Sequence, residues 1–481
     1  MLLAGCGGSA TVSTSPAPAS TAGGSAAAGS ASASPSSAAS AKPSASGPAS
    51  AAASSTSSSP ASASSSGAAN GSVAGSAAAG GAGTAIKIGY LNSLTGNLSG
   101  NGVDGKDGLD LFLGSVNNTL AGHPVQVVYA DDQSLPDVGV TKAQGLVGSD
   151  KVDLVMGITS SAVCQGVAQY MKTTTTPLMV TANCGVDELT FDPKYASPYL
   201  VRFSQATGEL FWGMQDYAIK QNWKKLDLIT SDYVGGLQVA DMFGAAFIEA
   251  GGSIIQELHP KMNTTDFGPY ISQIDQSADA VAVFLPGADS LRFYQQLLNY
   301  GSKKQILDLG SQITNGPVMS QLKEKAIGII ASNIYSEGYD GAANQTMLKA
   351  FRAKYPDRPI SSDIAQSWSA GQILQAALEK VNGNVADKPA LMNALWATNM
   401  ETAKGPIKVN QNHDVVQNTY VFQIVQGGPL GFQQKLLSSK NSGPEGDFPA
   451  AVYQKFPFSQ LDNKVAGLDK AKLDGILNSA K

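Results

Sequence analysis

Ile86-Lys87-Ile88-Gly89-Tyr90-Leu91 opens the part of the chain that can fold. It is a short run with β-branched residues, and it ends in a Gly/Asn/Ser-rich turn over residues 92–102. A helical pattern follows, with Leu109, Phe112, Leu113 and Val116 at i, i+3, i+4 and i+7. The same unit then recurs: strand 125–129, helix 138–149, strand 154–156, helix 161–173, strand 178–180. Strands separated by helices of this length imply βαβ units and a parallel sheet.

The pattern restarts after Arg202-Phe203. A helix near 208–221 leads to strand 226–230, and helix 236–250 ends at Gly251-Gly252, a good C-terminal stop. Strand 253–255, helix 267–276, strand 280–284 and helix 289–300 come next, then strands near 306–309 and 327–331 and a late helix over 363–381. The fold class is α/β, with two similar doubly wound, Rossmann-like halves in one chain. No short repeat is visible, which excludes a solenoid.

Outward from this core, the N-terminal stretch is of another kind. Only 14% of the 481 residues are charged, and between Met1 and Ala85 the single charged side chain is Lys42. Nearly everything else there is Ala, Ser, Gly, Pro or Thr, so residues 7–84 cannot bury enough apolar surface to offset ordering entropy and are expected to form a disordered tether. A coil of that length spans roughly 50 Å. Ahead of it, Leu3-Ala4-Gly5-Cys6 resembles a bacterial lipobox, making residues 1–6 the remnant of a lipoprotein signal and Cys6 the lipidation site. An accidental cysteine near the start is the alternative. The net charge of −5 and the lack of a basic stripe argue against nucleic acid as a partner. No apolar stretch is long enough to span a bilayer.

Open α/β sheets bind ligands beyond the carboxyl ends of their strands, where the strand order reverses. In the first half those ends are the loops 92–102, 158–164 and 181–187, each rich in Gly, Ser, Thr or Asn. Ser160 and Ser161 stand where helix 161–173 begins, which suits either a ligand carboxylate or a plain N-cap. An enzyme would need more. His123, His259 and His413 fall in loops away from these strand ends, and there is no G-x-S-x-G elbow and no phosphate-binding G-x-x-x-x-G-K-[ST] loop. Asp131-Asp132 could pair for acid/base work, though adjacent acids after a strand more often cap or face solvent. Three His and three Cys without ligand spacing leave no metal site and no cofactor to expect. Cys164 and Cys184 follow consecutive parallel strands at the same sheet end, and in an exported protein a disulfide between them is favoured over two free thiols.

Taken together, the segments 86–96, 157–161, 177–181, 187–190, 232–235, 284–289 and 351–355 resemble, in order and spacing, the type 1 periplasmic solute-binding proteins of the leucine/isoleucine/valine branch. The resemblance implies two lobes closing over a ligand about three crossovers: lobe one at 85–204 and 335–415, lobe two at 205–334 and 416–440, with 441–481 as a tail packed on the surface. It implies a small-molecule ligand, ABC permease subunits and a lipid-anchored membrane attachment as partners, and a monomer. Carried over position by position, the ligand carboxylate falls to Ser161, with Ser160 beside it, and to Asn183 and Gly185 in the next loop. Asn101 stands at the covering aromatic position, and Tyr233 and Pro286 with Gln312 close the second lobe.

Two positions depart from that pattern. Gly185 lacks a Thr hydroxyl, leaving Thr181 or a water to replace it, and no Glu stands near 308–312, leaving Asp308 as the ammonium partner. A free amino acid is therefore in doubt unless Asp308 takes that role, and the runner-up to a solute receptor of an importer is a ligand-sensing module that serves a signalling partner without transport.

Overall fold

The computed structural model describes residues 83–441 and 464–479. The lipobox and Cys6, the tether up to residue 82 and residues 442–463 of the tail lie outside the described residues.

The opening run forms β1 (Ile86–Asn92), which alternates as a buried strand must. Ile86, Ile88 and Tyr90 pack with Leu109 and Phe112, whereas Leu91 joins a separate cluster with Val155 and Val163 on the opposite face. Next come α1 (Ser99–Ser115), β2 (Thr119–Leu120), β3 (His123–Asp131), α2 (Pro136–Gly148), β4 (Leu154–Gly157), α3 (Ser161–Met171), β5 (Leu178–Val180) and β6 (Leu200–Arg202). The sheet order is β2-β3-β1-β4-β5-β6, parallel except for the β2–β3 pair. Because β1 lies between β3 and β4, the winding reverses there and the loops after β1 and β4 part to leave a crevice.

The second half repeats the plan with α4 (Met214–Lys220), β7 (Lys225–Thr230), α5 (Val234–Glu249), β8 (Ser253–Leu258), α6 (Gly268–Ile271), β9 (Ala280–Phe284), α7 (Ala288–Asn299), β10 (Gln305–Leu309), α8 (Gly316–Leu322) and β11 (Ile330–Asn333). The chain then returns to the first sheet as α9 (Ala342–Lys354), α10 (Ser362–Lys380) and α11 (Lys388–Trp396), with a small sheet β12 (Asn399–Thr402), β13 (Gly405–Val409) and β14 (Val415–Val416). β15 (Asn418–Gln426) and β16 (Phe432–Asn441) complete the second sheet, ordered β16-β15-β11-β10-β9-β7-β8. A final helix, α12 (Lys470–Ser479), follows Val465, and Val465 and Leu473 are buried in the second-half core. The winding of this sheet reverses at β7, between β8 and β9.

Three expected elements differ. The helix near 208–221 is a 3-10 turn, Thr207–Leu210, followed by the short α4, because Gly213 sits in a left-handed conformation at φ +99° and interrupts the helix. The helix over 267–276 shrinks to α6, since the Asp227 carboxylate captures the Asp275 N–H at 2.6 Å. The strand near 327–331 starts later, at Ile330, past Gly328 in its own left-handed turn.

The chain crosses between the two sheets at 203–206, 334–336 and Gln417. A buried lysine ties the first and third crossings: Lys404 Nζ donates to Phe203 O (2.8 Å) and Gln417 Oε1 (2.7 Å). Gln417 Nε2 in turn donates to Ser204 O (2.6 Å) and Glu209 Oε2 (3.0 Å). Burial pushes the Lys404 ammonium down to about 7 and the Glu209 carboxyl up to about 7.

Candidate functional site

The carboxyl ends of the two sheets face each other, and the lobes touch there. Ala288 N–H donates to Asn97 O across the gap (3.2 Å), Gly316 N–H donates to Asp104 (3.2 Å), and Gln238 Nε2 donates to Glu188 (3.1 Å). Asp104 is also held by Arg358. Between these contacts lies a cavity of about 490 Å³, lined by Asn97 and Leu98 after β1, Ser160 and Ala162 at the start of α3, and Tyr233 and Met262 from the other lobe. A second, of about 600 Å³, adjoins it at Asn97 and runs past Val103, Asp104 and Pro317 to Arg358.

Local sequence explains how Ser160 comes to be there. Gly157 has φ +116° and a Cβ would lie 2.3 Å from Leu91 O, so only glycine lets β4 end so close to β1. Ile158 follows at φ +68°, a strained conformation for a β-branched residue, of the kind found at binding sites. Ser160 then caps α3, its hydroxyl accepting from Val163 N–H at 3.4 Å, and Ser161 is the first helical residue. The capping role and the proximity to the cavity coexist.

Cys164 and Cys184 are bonded, joining α3 to the loop after β5. In that loop Gly185 O accepts from the Thr207 N–H at 3.0 Å and from its hydroxyl at 2.5 Å, and a Cβ at 185 would lie 3.0 Å from Thr207 Oγ1. The space a Thr side chain would need at 185 is therefore taken by Thr207. Thr181, expected as a substitute, instead accepts from Gly157 N–H at 3.1 Å and holds the β4 turn.

Asp308 is a further correction. Its carboxylate is buried and accepts from Tyr294 OH (2.7 Å) and from the N–H groups of Gln312 and Ile313 (2.8 Å each). These bonds shape the turn after β10, and burial raises the carboxyl to about 7, so an ammonium partner in the cleft does not fit this residue. Gln312 keeps a cleft-end position, with Nε2 on Gly310 O. Pro286 is buried two residues past the end of β9.

Asn101 and Asn183 meet on a residue the sequence reading passed over. Asn101 Nδ2 donates to Asp363 Oδ2 (3.0 Å), Asn183 Nδ2 donates to Asp363 Oδ1 (2.5 Å), and Gln366 Nε2 donates to Asn183 Oδ1 (2.7 Å). The only sequence signal was an Asp and a Gln three apart at the start of a helix of mixed apolar and Ser/Gln residues, where an Asp reads as ordinary dipole compensation.

Several polar atoms at these strand ends are buried with no partner among the described residues: both amide atoms of Asn97, Asn101 Oδ1, Thr159 Oγ1, Ser231 Oγ, Gln238 Oε1 and Gln312 Oε1. Each such atom costs about 1–3 kcal/mol if left dry. Of these, Asn97 lines both cavities.

Two arrangements have a catalytic look. His259, expected away from the strand ends, directly follows β8, with Nδ1 2.9 Å from Thr230 Oγ1 and Nε2 3.0 Å from Glu257. Thr230 is fully buried and Glu257 also holds the N–H groups of Val465 and Ala466, so no nucleophile is presented to a substrate. Gly100-Asn101-Gly102-Val103-Asp104-Gly105 has G-x-G-x-x-G spacing, but it lies inside α1 and its second glycine packs on Ser93 O. That is not the strand-to-helix turn that holds a dinucleotide. Asp131 and Asp132 bind the loop after β1, through Leu94 N–H (2.9 Å) and Ser93 Oγ (2.6 Å).

Comparison with known proteins agrees with this architecture. A family model described as periplasmic binding protein matches residues 85–429. The Leu/Ile/Val-binding protein homolog 6 of Brucella melitensis is 24% identical over 361 residues, covering 74% of this chain and 91% of that one. Among solved structures, a solute binding protein of an R. palustris ABC transporter, in complex with benzoate, is 26% identical with a TM-score of 0.68, covering 74% and 96% of the two chains. An ABC transporter substrate-binding protein from Sphaerobacter thermophilus is 27% identical with a TM-score of 0.68, covering 74% and 98%.

Proposed function

Since the chain belongs to the periplasmic binding protein family, we propose that it is the extracytoplasmic solute receptor of an ABC importer, capturing a small polar ligand by closure of its two lobes. The observation that carries this reading is the cavity that Ser160 of one lobe and Tyr233 of the other line together. A ligand there contacts both lobes at once, so it binds the closed form more tightly and shifts the population toward it. In this reading Ser161 and the N–H groups at 160–162 and 183–185 hold an anionic or carbonyl end, while Tyr233, Pro286 and Gln312 close the opposite side. Cys6 carries the lipid that anchors the protein to the outer face of the membrane, and the 7–84 tether gives it reach toward the permease subunits. It acts as a monomer.

The test is thermal unfolding of the full chain against a panel of amino acids, amides, urea and aromatic and aliphatic carboxylates. A ligand present at 100 times its dissociation constant adds about 2.7 kcal/mol of stability, which raises the midpoint visibly. A panel in which nothing raises the midpoint would reject the receptor reading.

A further inference from the structure

Two cavities lie between the lobes, of about 490 Å³ and about 600 Å³, and either alone is large enough to hold a whole small ligand. They adjoin at Asn97, whose backbone carbonyl is held by the Ala288 N–H of the other lobe. The Asn97 side chain is left over: neither its Nδ2 nor its Oδ1 has a partner among the described residues, although both atoms are buried. Lining the second cavity from the other lobe is Asn315, 4% exposed, with its Nδ2 also unpartnered. Asn315 directly precedes α8, yet its side chain does not cap that helix. Neither Nδ2 group has a task in holding the fold together.

The remaining walls of the second cavity are of another character. Leu94 and Val103 line it from lobe one, and Leu291, Pro317 and Val318 from lobe two. Its charged groups are already spent: Arg358 binds Asp104 and Asp107, and Asp104 also takes the Gly316 N–H. An apolar body suits such walls. At the junction, an amide would satisfy both asparagines. A trans secondary amide is planar, with its N–H and C=O directed to opposite edges. Its N–H would meet Asn97 Oδ1 on one lobe, and its C=O would meet Asn315 Nδ2 on the other. Asn97 Nδ2 would then remain as a donor to a carboxylate in the first cavity, which Asn97 also lines.

We infer that the cleft takes an elongated, acylated solute of the N-acyl amino acid type, with its carboxylate in the first cavity, its amide between Asn97 and Asn315, and its acyl chain along Val103, Leu291 and Pro317 in the second. This rests on the receptor reading and narrows its ligand class. A free amino acid fills one cavity only and leaves the Asn315 amide dry. An amide held by one asparagine from each lobe makes both bonds only when the lobes are together, so it also favours the closed form.

The experiment titrates the full chain calorimetrically with N-acetylglycine, N-butanoylglycine and N-hexanoylglycine, with nonanoate as the amide-free chain of matching length, and with leucine. A buried methylene is worth about fourfold in affinity, so each step along the acylglycine series should tighten binding about tenfold. Val103→Trp, at an exposed position on α1, fills the second cavity and should impose a penalty that grows with the acyl chain. The wild-type protein should prefer N-hexanoylglycine to nonanoate by about tenfold, and Asn315→Leu should bring that ratio toward one. Affinity that stays flat along the series, a Val103→Trp penalty equal for every acylglycine, or a ratio that Asn315→Leu leaves unchanged would overturn the inference. Leucine binding as tightly as N-hexanoylglycine would also overturn it and leave the receptor reading intact. If no acylglycine binds while another compound raises the unfolding midpoint, the inference falls and the receptor reading stands; if nothing binds at all, both fall.

Discussion

Gly287, three residues past the end of β9 in the second lobe, lies beneath the backbone carbonyl of Asn97 in the first: a Cβ at 287 would stand 2.3 Å from that oxygen. The neighbouring Ala288 N–H donates to the same carbonyl at 3.2 Å. Here the two lobes approach backbone to backbone, and Gly287 holds φ +63°, ψ −136°, a conformation open essentially to glycine alone. Gly287→Ala should therefore do two things. It should lower stability by about 1–3 kcal/mol through backbone strain, and it should weaken ligand binding at least tenfold because the closed form is obstructed. Urea unfolding and calorimetry separate the two effects, and unchanged affinity would mean that this contact plays no part in closure.

Ser161→Ala tests the anionic end. Ser160 lines the cavity while its hydroxyl caps α3, and Ser161, the first residue of the helix, is the family position for the ligand carboxylate. A hydrogen bond to a charged group contributes about 1.5–3 kcal/mol, so affinity should fall by a factor of roughly ten to a hundred with little change in the unfolding midpoint. Unchanged affinity would count heavily against the proposed pose.

Reducing the Cys164–Cys184 bond should loosen α3 and the loop after β5, both on the lobe-one side of the cleft. The two residues are 20 apart in sequence, and closing a loop of that size restricts the unfolded chain by about 3 kcal/mol. Urea unfolding with and without a reductant should show a loss of this order, and binding should weaken in parallel. Equal midpoints in both conditions would contradict it.

Asp308 gives the fold a pH dependence of definite sign. Its carboxyl is raised from the ordinary 3.8 to about 7 by burial. A raised carboxyl contributes stability that is complete below its unfolded value and is lost as pH climbs through its folded one. Between pH 5 and pH 8 this residue should therefore cost stability. Asp308→Asn should make the urea midpoint less dependent on pH over that window, and an identical slope would refute the assignment.

Lys404 works in the opposite sense. Burial lowers its ammonium to about 7, so its contribution is present above the unfolded value near 10.5 and is lost as pH falls through 7. Lys404→Met would leave Phe203 O and Gln417 Oε1 without their donor at the crossings between lobes. It should cost about 1–3 kcal/mol, measured by urea unfolding at pH 8.

Much of this was legible in the chain itself. The β-branched run at 86–91 and the helical spacing of Leu109, Phe112 and Leu113 are local patterns, so β1 and α1 stand where periodicity puts them. The pairing of Cys164 with Cys184 follows from two consecutive parallel strands ending side by side. Ser160 was singled out because strand ends in such sheets are where ligands bind, whereas Tyr233 came from the family resemblance; both line the same cavity. What periodicity could not show is who meets whom across long sequence distances. Thr207 filling the space beside Gly185, and Asp363 gathering Asn101 and Asn183 from 262 and 180 residues away, are tertiary facts. Asp308 misled for the same reason: only the fold reveals that Tyr294 and two backbone N–H groups have already claimed its oxygens.

The central claim is that a solute draws the two lobes together. Lys151 precedes β4 and Lys303 precedes β10, both exposed and both at the sheet ends remote from the cleft. With Cys6→Ser to remove the third thiol, spin labels at Lys151→Cys and Lys303→Cys report the separation of the lobes by pulsed electron resonance. Adding a compound that raises the unfolding midpoint should shorten and narrow that distance distribution. A distribution left unchanged by a compound that demonstrably binds would contradict closure as the mechanism.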